Sequence, residues 1–281
     1  MSEKQFLSPG EIAEYAVSVA QTKAASSVAK LLVLGFLAGV YIAFASNGST
    51  MAAHNLLNNP ETYGLGKALA GSIFGTGLML VVVAGAELFT GNNLMIVGLL
   101  EKKITLKAMF RNWLIVYIGN FLGSFFIAVL VVNSGLLNSS ANVFGGMTIR
   151  IAAGKTGLTF LQALFLGILC NILVCAAVWM AYGAKDIAGK IFSCFFPIWL
   201  FITSGFEHSI ANMFYIPAGI LAAVKPDWLA AARISDSALA NLCWANFFIK
   251  NLLPVTIGNI IGGGCIVGCL YWFSYLKKKP I

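Results

Sequence analysis

Long apolar runs alternate with short polar stretches along most of this chain. Apolar runs of about 20 residues are typical of helices that cross a lipid bilayer. The pattern therefore predicts an all-α protein with six membrane-spanning segments. These predicted segments cover residues 31–46, 68–100, 112–132, 158–182, 191–224 and 251–276.

Two of the predicted segments, 68–100 and 191–224, are long for a single helix and carry polar residues in the middle. The first interruption reads Gly-Ala-Glu-Leu-Phe-Thr-Gly-Asn over residues 85–92, and the second reads Gly-Phe-Glu-His-Ser-Ile-Ala-Asn over residues 205–212. In both, Gly-x-Glu is followed five residues later by Asn. A chain that breaks two membrane helices in the same way is expected to build one site from two halves.

The third and sixth segments share the spacing of four residues. The matching sets are Asn112, Gly119, Asn120 and Gly123 in one segment, and Asn251, Gly258, Asn259 and Gly262 in the other. The chain is therefore predicted to contain two repeats, 31–132 and 158–276. Because each repeat has an odd number of spans, the two copies must cross the membrane in opposite directions. The predicted architecture is an inverted three-helix repeat in which helices 2 and 5 are broken.

Composition changes this picture little. Hydrophobic residues make up 59% of the 281 positions and charged residues 10%, whereas soluble domains have about 25% charged residues. The chain is thus predicted to be an integral membrane protein with one channel domain, 31–276. Residues 1–30 form an amphipathic arm that is expected to lie along the membrane interface, and residues 277–281 form a short tail.

Lys and Arg are distributed unevenly between the two sides of the predicted bundle. The side with the arm and the tail holds Lys4, Lys23, Lys30, Lys102, Lys103, Lys107, Arg111, Lys185, Lys190 and Lys277–Lys279; the other side holds Lys67, Arg150, Lys155, Lys225, Arg233 and Lys250. Positive residues accumulate on the cytoplasmic side of membrane proteins, so both termini are predicted to be cytoplasmic. The net charge of +8 is accordingly interpreted as a sign of membrane orientation and not of nucleic-acid binding.

Glu87 and Glu207 are the acidic residues inside apolar spans, and two hypotheses compete for them. Charged groups within a membrane are costly, about 2.5–3.5 kcal/mol on insertion scales, and usually mark function, which favours binding of protons or cations. Alternatively, each carboxylate accepts hydrogen bonds from the backbone N–H groups that its own broken helix frees. The repetition of the pattern favours this structural role, shared with Gly91, Asn92 and Asn212.

His208 is the best single functional candidate, because Leu88 stands at its position in the first interruption. The alternative is a buried neutral histidine with one structural hydrogen bond. Thr90 adds a polar group to the first interruption, and Gly91 is expected to permit an unusual backbone turn. The other histidine, His54, is assigned to a loop. With neither a metal-ligand cluster nor a nucleophile motif in the sequence, we predict no metal, no cofactor and no enzymatic activity.

Five stretches carry distinctive motifs. They are Ala-Glu-Leu-Phe-Thr (86–90), Asn-Trp-Leu-x-Val-Tyr-x-Gly-Asn (112–120), Gly-Ile-Leu-x-Asn-x-Leu-Val-Cys (167–175), Gly-Phe-Glu-His-Ser-Ile-Ala-Asn-Met-Phe (205–214) and Pro-Val-Thr-Ile-Gly-Asn-Ile-Ile-Gly-Gly (254–263). Together they resemble the formate/nitrite transporter family, over all six spans. The resemblance implies an aquaporin-like protomer, a homopentamer in a bacterial-type inner membrane, and passage of small monovalent anions such as formate, nitrite or hydrosulfide.

The resemblance also implies roles for individual residues. His208 and Thr90 match the central site, with Asn171, Val174 and Asn259 close to it. Lys155 matches a basic residue that attracts anions into the outer vestibule. The residues that match apolar constrictions are Phe74, Leu78, Leu88, Phe89 and Phe201.

Two other transport classes remain open on the sequence. A neutral-solute channel of the water or glycerol type has broken inverted repeats, but Asn-Pro-Ala is expected in both breaks, and proline is absent from both interruptions here. A proton-coupled anion transporter would use Glu87 or Glu207 directly. For the favoured anion channel, His208 either relays a proton to the anion or only donates a hydrogen bond to it.

Overall fold

The structure, a computed structural model, describes residues 6–277. Within this range, six helices are long and apolar enough to cross a membrane. They are Val28–Leu57, Pro60–Val83, Leu106–Asn133, Phe160–Gly183, Ile187–Ser204 and Trp244–Tyr275. Two shorter apolar helices, Phe89–Leu100 and Ser209–Ala222, follow the second and fifth of these. The predicted number of spans and the two broken helices are confirmed. Lys4, Lys278 and Lys279 of the charge pattern lie outside the described residues.

The helices follow one another in two comparable halves. The first half contains α1 (Pro9–Ala25), α2 (Val28–Leu57), α3 (Tyr63–Val83), α4 (Phe89–Asn92), α5 (Ile96–Leu100) and α6 (Leu106–Asn133). The second half contains α7 (Val143–Thr156), α8 (Phe160–Gly183), α9 (Ile187–Ser204), α10 (Ser209–Ala222), α11 (Pro226–Ala232), α12 (Asp236–Asn241), α13 (Trp244–Asn246), α14 (Leu253–Ile260) and α15 (Cys269–Tyr275). A 3₁₀ turn, Asn93–Met95, joins α4 to α5, and the π-helical stretches Phe247–Leu252 and Ile261–Gly268 make 244–275 one continuous span.

The two helix breaks have the same backbone path. After α3 ends, Gly85 adopts φ +84°, and after α9 ends, Gly205 adopts φ +80°. This left-handed conformation is readily available to glycine. The residue before each following helix, Leu88 or His208, is extended. The unusual turn predicted at Gly91 is thus found at Gly85 instead, because Gly91 lies inside α4.

Helix α2 extends to Leu57, so the loop predicted over 47–67 is largely helical. Its polar side chains are satisfied inside the bundle: the Ser49 hydroxyl donates to the Ala70 carbonyl at 2.8 Å, and the Thr50 hydroxyl to the Ser46 carbonyl at 3.0 Å. Serine and threonine hydroxyls that bond to backbone carbonyls remain compatible with a helix. His54, predicted in a loop, is likewise a buried residue of α2.

The polar loop predicted over 133–156 contains the 14-residue helix α7. Gly145 and Gly146 in this helix lie against Trp228 and Ala231, where a β-carbon would collide with its neighbours. Helix α7 therefore packs closely on α11 and also contacts α10. The loop prediction was wrong here because glycines and scattered polar residues hide a helix whose buried face depends on tertiary contacts.

Glycines bring the helices of each half into close contact. A β-carbon on Gly39 of α2 would overlap the Asn120 carbonyl of α6, and one on Gly123 would overlap the Phe36 carbonyl. In the second half, a β-carbon on Gly258 of α14 would overlap the Leu164 carbonyl of α8. The close approach at Gly39 therefore recurs at the equivalent helix pair in the second repeat.

Candidate functional site

The two helix breaks meet at one buried point in the middle of the bundle. Thr90 in the first turn of α4 and His208 immediately before α10 are 118 residues apart in the chain, yet Thr90 Oγ1 lies 3.0 Å from His208 Nε2. Thr90 is completely buried and His208 is 3% exposed. The structure thus brings together the two residues that the sequence singled out for the centre.

The hydrogen bonds of His208 determine which ring nitrogen carries the proton. The ring caps α10, because Nδ1 accepts a hydrogen bond from the Ala211 backbone N–H at 3.1 Å. A backbone N–H can only donate, so Nδ1 must present its lone pair, and the neutral imidazole carries its proton on Nε2. Nε2–H then donates to Thr90 Oγ1, which leaves the hydroxyl proton of Thr90 free to bond a third group. The pair is a neutral hydrogen-bond donor.

Asn171 holds the backbone of Thr90 in place. Its amide nitrogen lies 3.2 Å from the Thr90 carbonyl, 2.8 Å from Asn93 Oδ1 and 2.7 Å from the Asn259 carbonyl. One turn later in α8, the Cys175 thiol donates to the same Thr90 carbonyl at 3.3 Å. Asn171 therefore fastens the first break to the last span.

Two further residues near Asn171 complete this neighbourhood. Val174, predicted near the central site, is buried on α8. Gly263 was missed by the sequence reasoning: a β-carbon there would overlap the Asn171 amide and lie 2.5 Å from Cys175 Sγ. Gly263 lies within the π-helical stretch Ile261–Gly268, and such stretches often occur at functional sites.

Glu87 is braced by side chains from three helices. Its carboxylate accepts from Lys23 Nζ of α1 at 2.7 Å and from Asn92 Nδ2 at 2.7 Å. Asn92 Nδ2 also lies 2.9 Å from Asn112 Oδ1, and the Asn112 amide donates to the Lys23 carbonyl at 3.2 Å. The network ties α1, the first break and α6 together.

Glu207 has the same set of partners in the second half. Its carboxylate accepts from Lys155 Nζ of α7 at 2.7 Å and from Asn212 Nδ2 at 2.6 Å. Asn212 Nδ2 lies 2.7 Å from Asn251 Oδ1, and the Asn251 amide donates to the Lys155 carbonyl at 3.0 Å. Helix α7 is therefore the counterpart of α1, and the inverted symmetry extends beyond the predicted three-helix repeats.

Two asparagines, not the glutamates, satisfy the backbone at the breaks. Asn120 Oδ1 accepts the Phe89 N–H at 3.0 Å while its amide donates to the Glu87 carbonyl at 2.9 Å. Asn259 does the same in the second break, where Oδ1 accepts the Ser209 N–H at 3.0 Å and the amide donates to the Glu207 carbonyl at 3.1 Å. The prediction that each carboxylate receives the freed N–H groups was wrong in its detail. The equal spacing of the asparagines was the sequence signal for this arrangement.

A cavity approaches the centre from each side. The Lys23 cavity, of about 900 Å³, is lined by Lys23, Leu78, Glu87 and Leu88 among others. The Lys155 cavity, of about 360 Å³, is lined by residues that include Lys67, Ala70, Arg150, Lys155, Gly205, Glu207 and Tyr215. Both are vestibules with lysine side chains in their walls, and the Thr90–His208 pair lies between them.

Apolar side chains separate the two vestibules. On α3, Ala70 lines the Lys155 cavity and Leu78 the Lys23 cavity, so Phe74 lies between them, one turn from each. The rings of Phe74 and Phe201 are in edge contact at 5.6 Å, and the Phe201 ring lies 6.0 Å from that of His208.

Phe89 does not join the other residues predicted to form constrictions. It points towards α6, with ring distances of 4.9 Å to Tyr117 and 6.0 Å to Trp113. It lines a lateral apolar groove instead of a vestibule. The structure therefore brings Phe74, Leu78, Leu88 and Phe201 to the axis of the bundle and leaves Phe89 beside it.

A model of the formate/nitrite transporter family matches residues 10–273. The chain belongs to the formate/nitrite transporter family. Among its relatives, a probable formate transporter of Methanothermobacter thermautotrophicus is 40% identical over 97% of this chain and 98% of its own length. The formate channel FocA of Escherichia coli K12 is 38% identical over 97% of this chain and 96% of its own length.

Solved structures of this family share the fold. A pentameric formate channel with formate bound superposes with a TM-score of 0.79 at 37% identity, over 89% of this chain and 98% of the other. An FNT family ion channel gives a TM-score of 0.75 at 28% identity, over 95% and 98% of the two chains. The predicted all-α protomer with six spans and an inverted repeat is therefore confirmed, and the protein is a multi-pass membrane protein.

Proposed function

We propose that this protein is a passive channel for small monovalent weak-acid anions, with formate as the first candidate substrate. The observation that carries the proposal is the neutral donor pair Thr90–His208, which lies where the two broken helices meet, between vestibules with lysine side chains in their walls. Its formate channel relatives and the formate-bound structural neighbour support formate. Nitrite and hydrosulfide remain alternative substrates, since both are small anions of the same charge.

The geometry favours hydrogen-bond donation by His208 over proton relay. The Nε2–H of His208 donates to Thr90 Oγ1, so the Thr90 O–H is free to donate to an oxygen of a small anion. This hydrogen bond offsets part of the desolvation that an apolar passage imposes. A relay through the ring would require Nδ1 to take up a proton. Nδ1 already accepts the Ala211 N–H, so protonation there would disrupt the cap of α10.

The substrate is tested by anion flux into proteoliposomes from about pH 5 to about pH 8, the range in which histidine titrates. The rates of formate, nitrite, hydrosulfide and chloride flux are compared for wild type and His208→Asn. His54→Asn is the control, because His54 lines neither vestibule. We expect fast formate flux, exclusion of chloride, and a loss of flux in His208→Asn. Equal flux of chloride and formate contradicts the proposal.

The pH profile of the same variants separates the two roles of His208. If the ring only donates a hydrogen bond, His208→Asn lowers the rate by a similar factor at every pH, because the asparagine amide is a donor that does not titrate. If the ring relays a proton, the variant changes the shape of the pH profile. Formate uptake that requires an imposed ion gradient would instead indicate a proton-coupled transporter.

We propose further that the chain assembles as a homopentamer in the inner membrane, with both termini in the cytoplasm. The pentameric neighbour supports the assembly. The twelve Lys and Arg residues on the side of the termini, against six on the other side, support the orientation because positive residues accumulate in the cytoplasm. The Lys155 cavity then opens to the outside of the cell.

A further inference from the structure

The Lys155 cavity contains more positive than negative groups. Three cations, Lys67, Arg150 and Lys155, line it together with one carboxylate, Glu207. A vestibule that concentrates anions needs a cation whose donors are not already used. The hydrogen bonds and ion pairs of the three cations therefore decide which of them can bind an incoming anion.

Lys155 is already committed to a structural ion pair. Its ammonium lies 2.7 Å from Glu207 Oε1, and the two side chains are 16% and 7% exposed. The same ammonium lies 5.3 Å from the centre of the Tyr215 ring, a cation–π contact. An anion that bound to Lys155 would have to displace or approach the Glu207 carboxylate, which repels it.

Arg150 is held by neutral acceptors. Its Nε donates to the Ala232 carbonyl at 3.0 Å, and its Nη1 donates to Asn58 Oδ1 at 2.6 Å. The charge contributes to the field of the cavity, but these bonds fix the guanidinium against α11 and the end of α2. Arg150 is thus oriented by the protein and only partly available to a ligand.

Lys67 differs from both. Among residues 6–277, no hydrogen bond, ion pair or ring contact is found for its ammonium. The ammonium lies 3.7 Å from the point where a β-carbon would stand on Gly205, the left-handed glycine of the second break. All three of its donors are therefore free, at the mouth of the passage towards Phe74 and Phe201.

From this geometry we propose that Lys67 is the residue that first binds the anion in the Lys155 cavity. This proposal rests on the proposed function. Lys155, to which the sequence resemblance gave the role of attracting anions, instead stabilises the second break through Glu207. Because Gly205 has no side chain, no β-carbon stands beside the Lys67 ammonium at this position.

The test compares Lys67→Met, Lys67→Arg and wild type by the initial rate of formate flux against formate concentration. Lys67→Met removes the charge and keeps the unbranched stem, so we expect the half-saturating formate concentration to rise about threefold to tenfold. The maximal rate should stay within about twofold of wild type, because the anion still meets Thr90 and His208. Lys67→Arg should restore the wild-type concentration dependence. Lys225→Met, at a lysine outside the cavity, is the matched control and should leave it unchanged.

Added salt supplies a second readout, since screening weakens the long-range attraction between a charge in the vestibule and an anion in solution. Flux at low formate concentration should fall with ionic strength in wild type and fall less in Lys67→Met. An unchanged half-saturating concentration in a well-folded Lys67→Met or Lys67→Gln protein contradicts the proposal. A wild-type protein that conducts none of the weak-acid anions overturns the proposed function together with this inference, so the two failures are distinguishable.

Lys155→Met separates the two lysines. It leaves the Glu207 carboxylate without its cation in a buried position, and we expect a lower midpoint of thermal unfolding in detergent. Lys67→Met has no such partner to lose, so its unfolding midpoint should match that of wild type. A fall in midpoint for Lys67→Met that equals that of Lys155→Met would indicate a structural role for Lys67 and overturn the assignment.

Discussion

His208 combines two functions in one side chain. One ring nitrogen caps α10 by accepting the Ala211 N–H, and the other faces Thr90 across the junction of the two breaks. An N-cap residue is usually Ser, Thr, Asp or Asn. A histidine at this position also caps the helix, and the hydrogen bond to Nδ1 fixes its tautomer. The cap therefore determines what His208 presents to a substrate.

Thr90 tests the donor pair from the other side. Thr90→Val keeps the shape and removes the hydroxyl, so the Nε2–H of His208 loses its acceptor and the substrate loses a donor. Because one hydrogen bond is worth about 1 kcal/mol or slightly more, we expect formate flux to fall about tenfold. Thr90→Ser is the control and should retain most of the flux. Equal rates for the valine and serine variants would show that the hydroxyl is not used.

Asn212 tests the brace of the second break. Asn212→Ala removes the donor to Glu207 Oε2 and to Asn251 Oδ1 and leaves both buried acceptors with fewer partners. We expect a loss of about 1–3 kcal/mol in the free energy of unfolding, measured as a lower thermal midpoint. Asn133→Ala, at an exposed residue at the end of α6, is the control. A variant as stable as wild type would mean that the amide contributes nothing to the fold.

At the scale of single elements, close helix contact explains much of the glycine pattern. Helices in lipid lack a hydrophobic force between them, so small residues that permit van der Waals packing are used at their interfaces. Gly39 and Gly123 provide this at the α2–α6 contact, and Gly258 at the α8–α14 contact. Asn120 and Asn259, which hydrogen-bond to the backbone of the two breaks, lie at these contacts.

Gly39→Ala should separate α2 from α6. Its β-carbon would overlap backbone atoms of Asn120, which cannot move as a flexible side chain can. We expect reduced yield of folded protein and loss of flux, measured by size-exclusion chromatography and the liposome assay. Gly64→Ala is the matched control because no neighbouring atom lies within 4 Å of its added carbon. That variant should be neutral or slightly stabilising, by up to about 1 kcal/mol.

At the scale of the whole molecule, the inverted symmetry places the same set of interactions at the inner end of each vestibule. In each half, a lysine pairs with the glutamate of the break: the lysine comes from α1 in the first half and from α7 in the second. An asparagine, from α6 in the first half and from the last span in the second, donates a hydrogen bond to the backbone carbonyl of that glutamate. The symmetry is broken at the centre, where Leu88 faces one cavity and His208 caps α10. One half of the pair thus supplies the threonine and the other the imidazole.

The proposed assembly is tested by native mass spectrometry of protein extracted in mild detergent. We expect a species of about five times the 29.9 kDa chain mass. In a closed ring every subunit makes the same pair of contacts, so the complete ring should be the main species. Chemical cross-linking in the membrane is the control against dissociation by detergent. A single species of one or two chains under both conditions would contradict the pentamer.

Membrane orientation is tested with reporter fusions. A fluorescent protein that folds only in the cytoplasm should fluoresce when it is fused after Ile281. The same reporter fused after Ser140, in the connection between α6 and α7, should be dark because this connection lies on the opposite side of the bundle. The reverse pattern would invert the orientation and place the Lys155 cavity in the cytoplasm.

The number of spans, the two breaks and the opposite direction of the repeats were all predicted from the pattern of apolar and polar residues. The underlying reason is that side chains facing lipid must be apolar and that the backbone there must be helical, so spans appear as apolar runs and polar interruptions of a run are visible in the sequence. Helix ends were predicted less well. Polar residues such as Ser49 and Thr50 in α2 resemble a loop until a neighbouring carbonyl that accepts their hydrogen bond is known.

The sequence by itself also determined which residues are unusual: His208 without a counterpart, Glu87 and Glu207 in apolar surroundings, and asparagines at equal spacing. Only the tertiary structure decided which of them meet. Lys23 pairs with Glu87 across 64 residues, and Thr90 meets His208 across 118. Local periodicity contains no information on such long-range pairs, because they depend on how closely packed helices place their breaks. For the same reason, the free ammonium of Lys67 and the paired one of Lys155 were indistinguishable in the sequence.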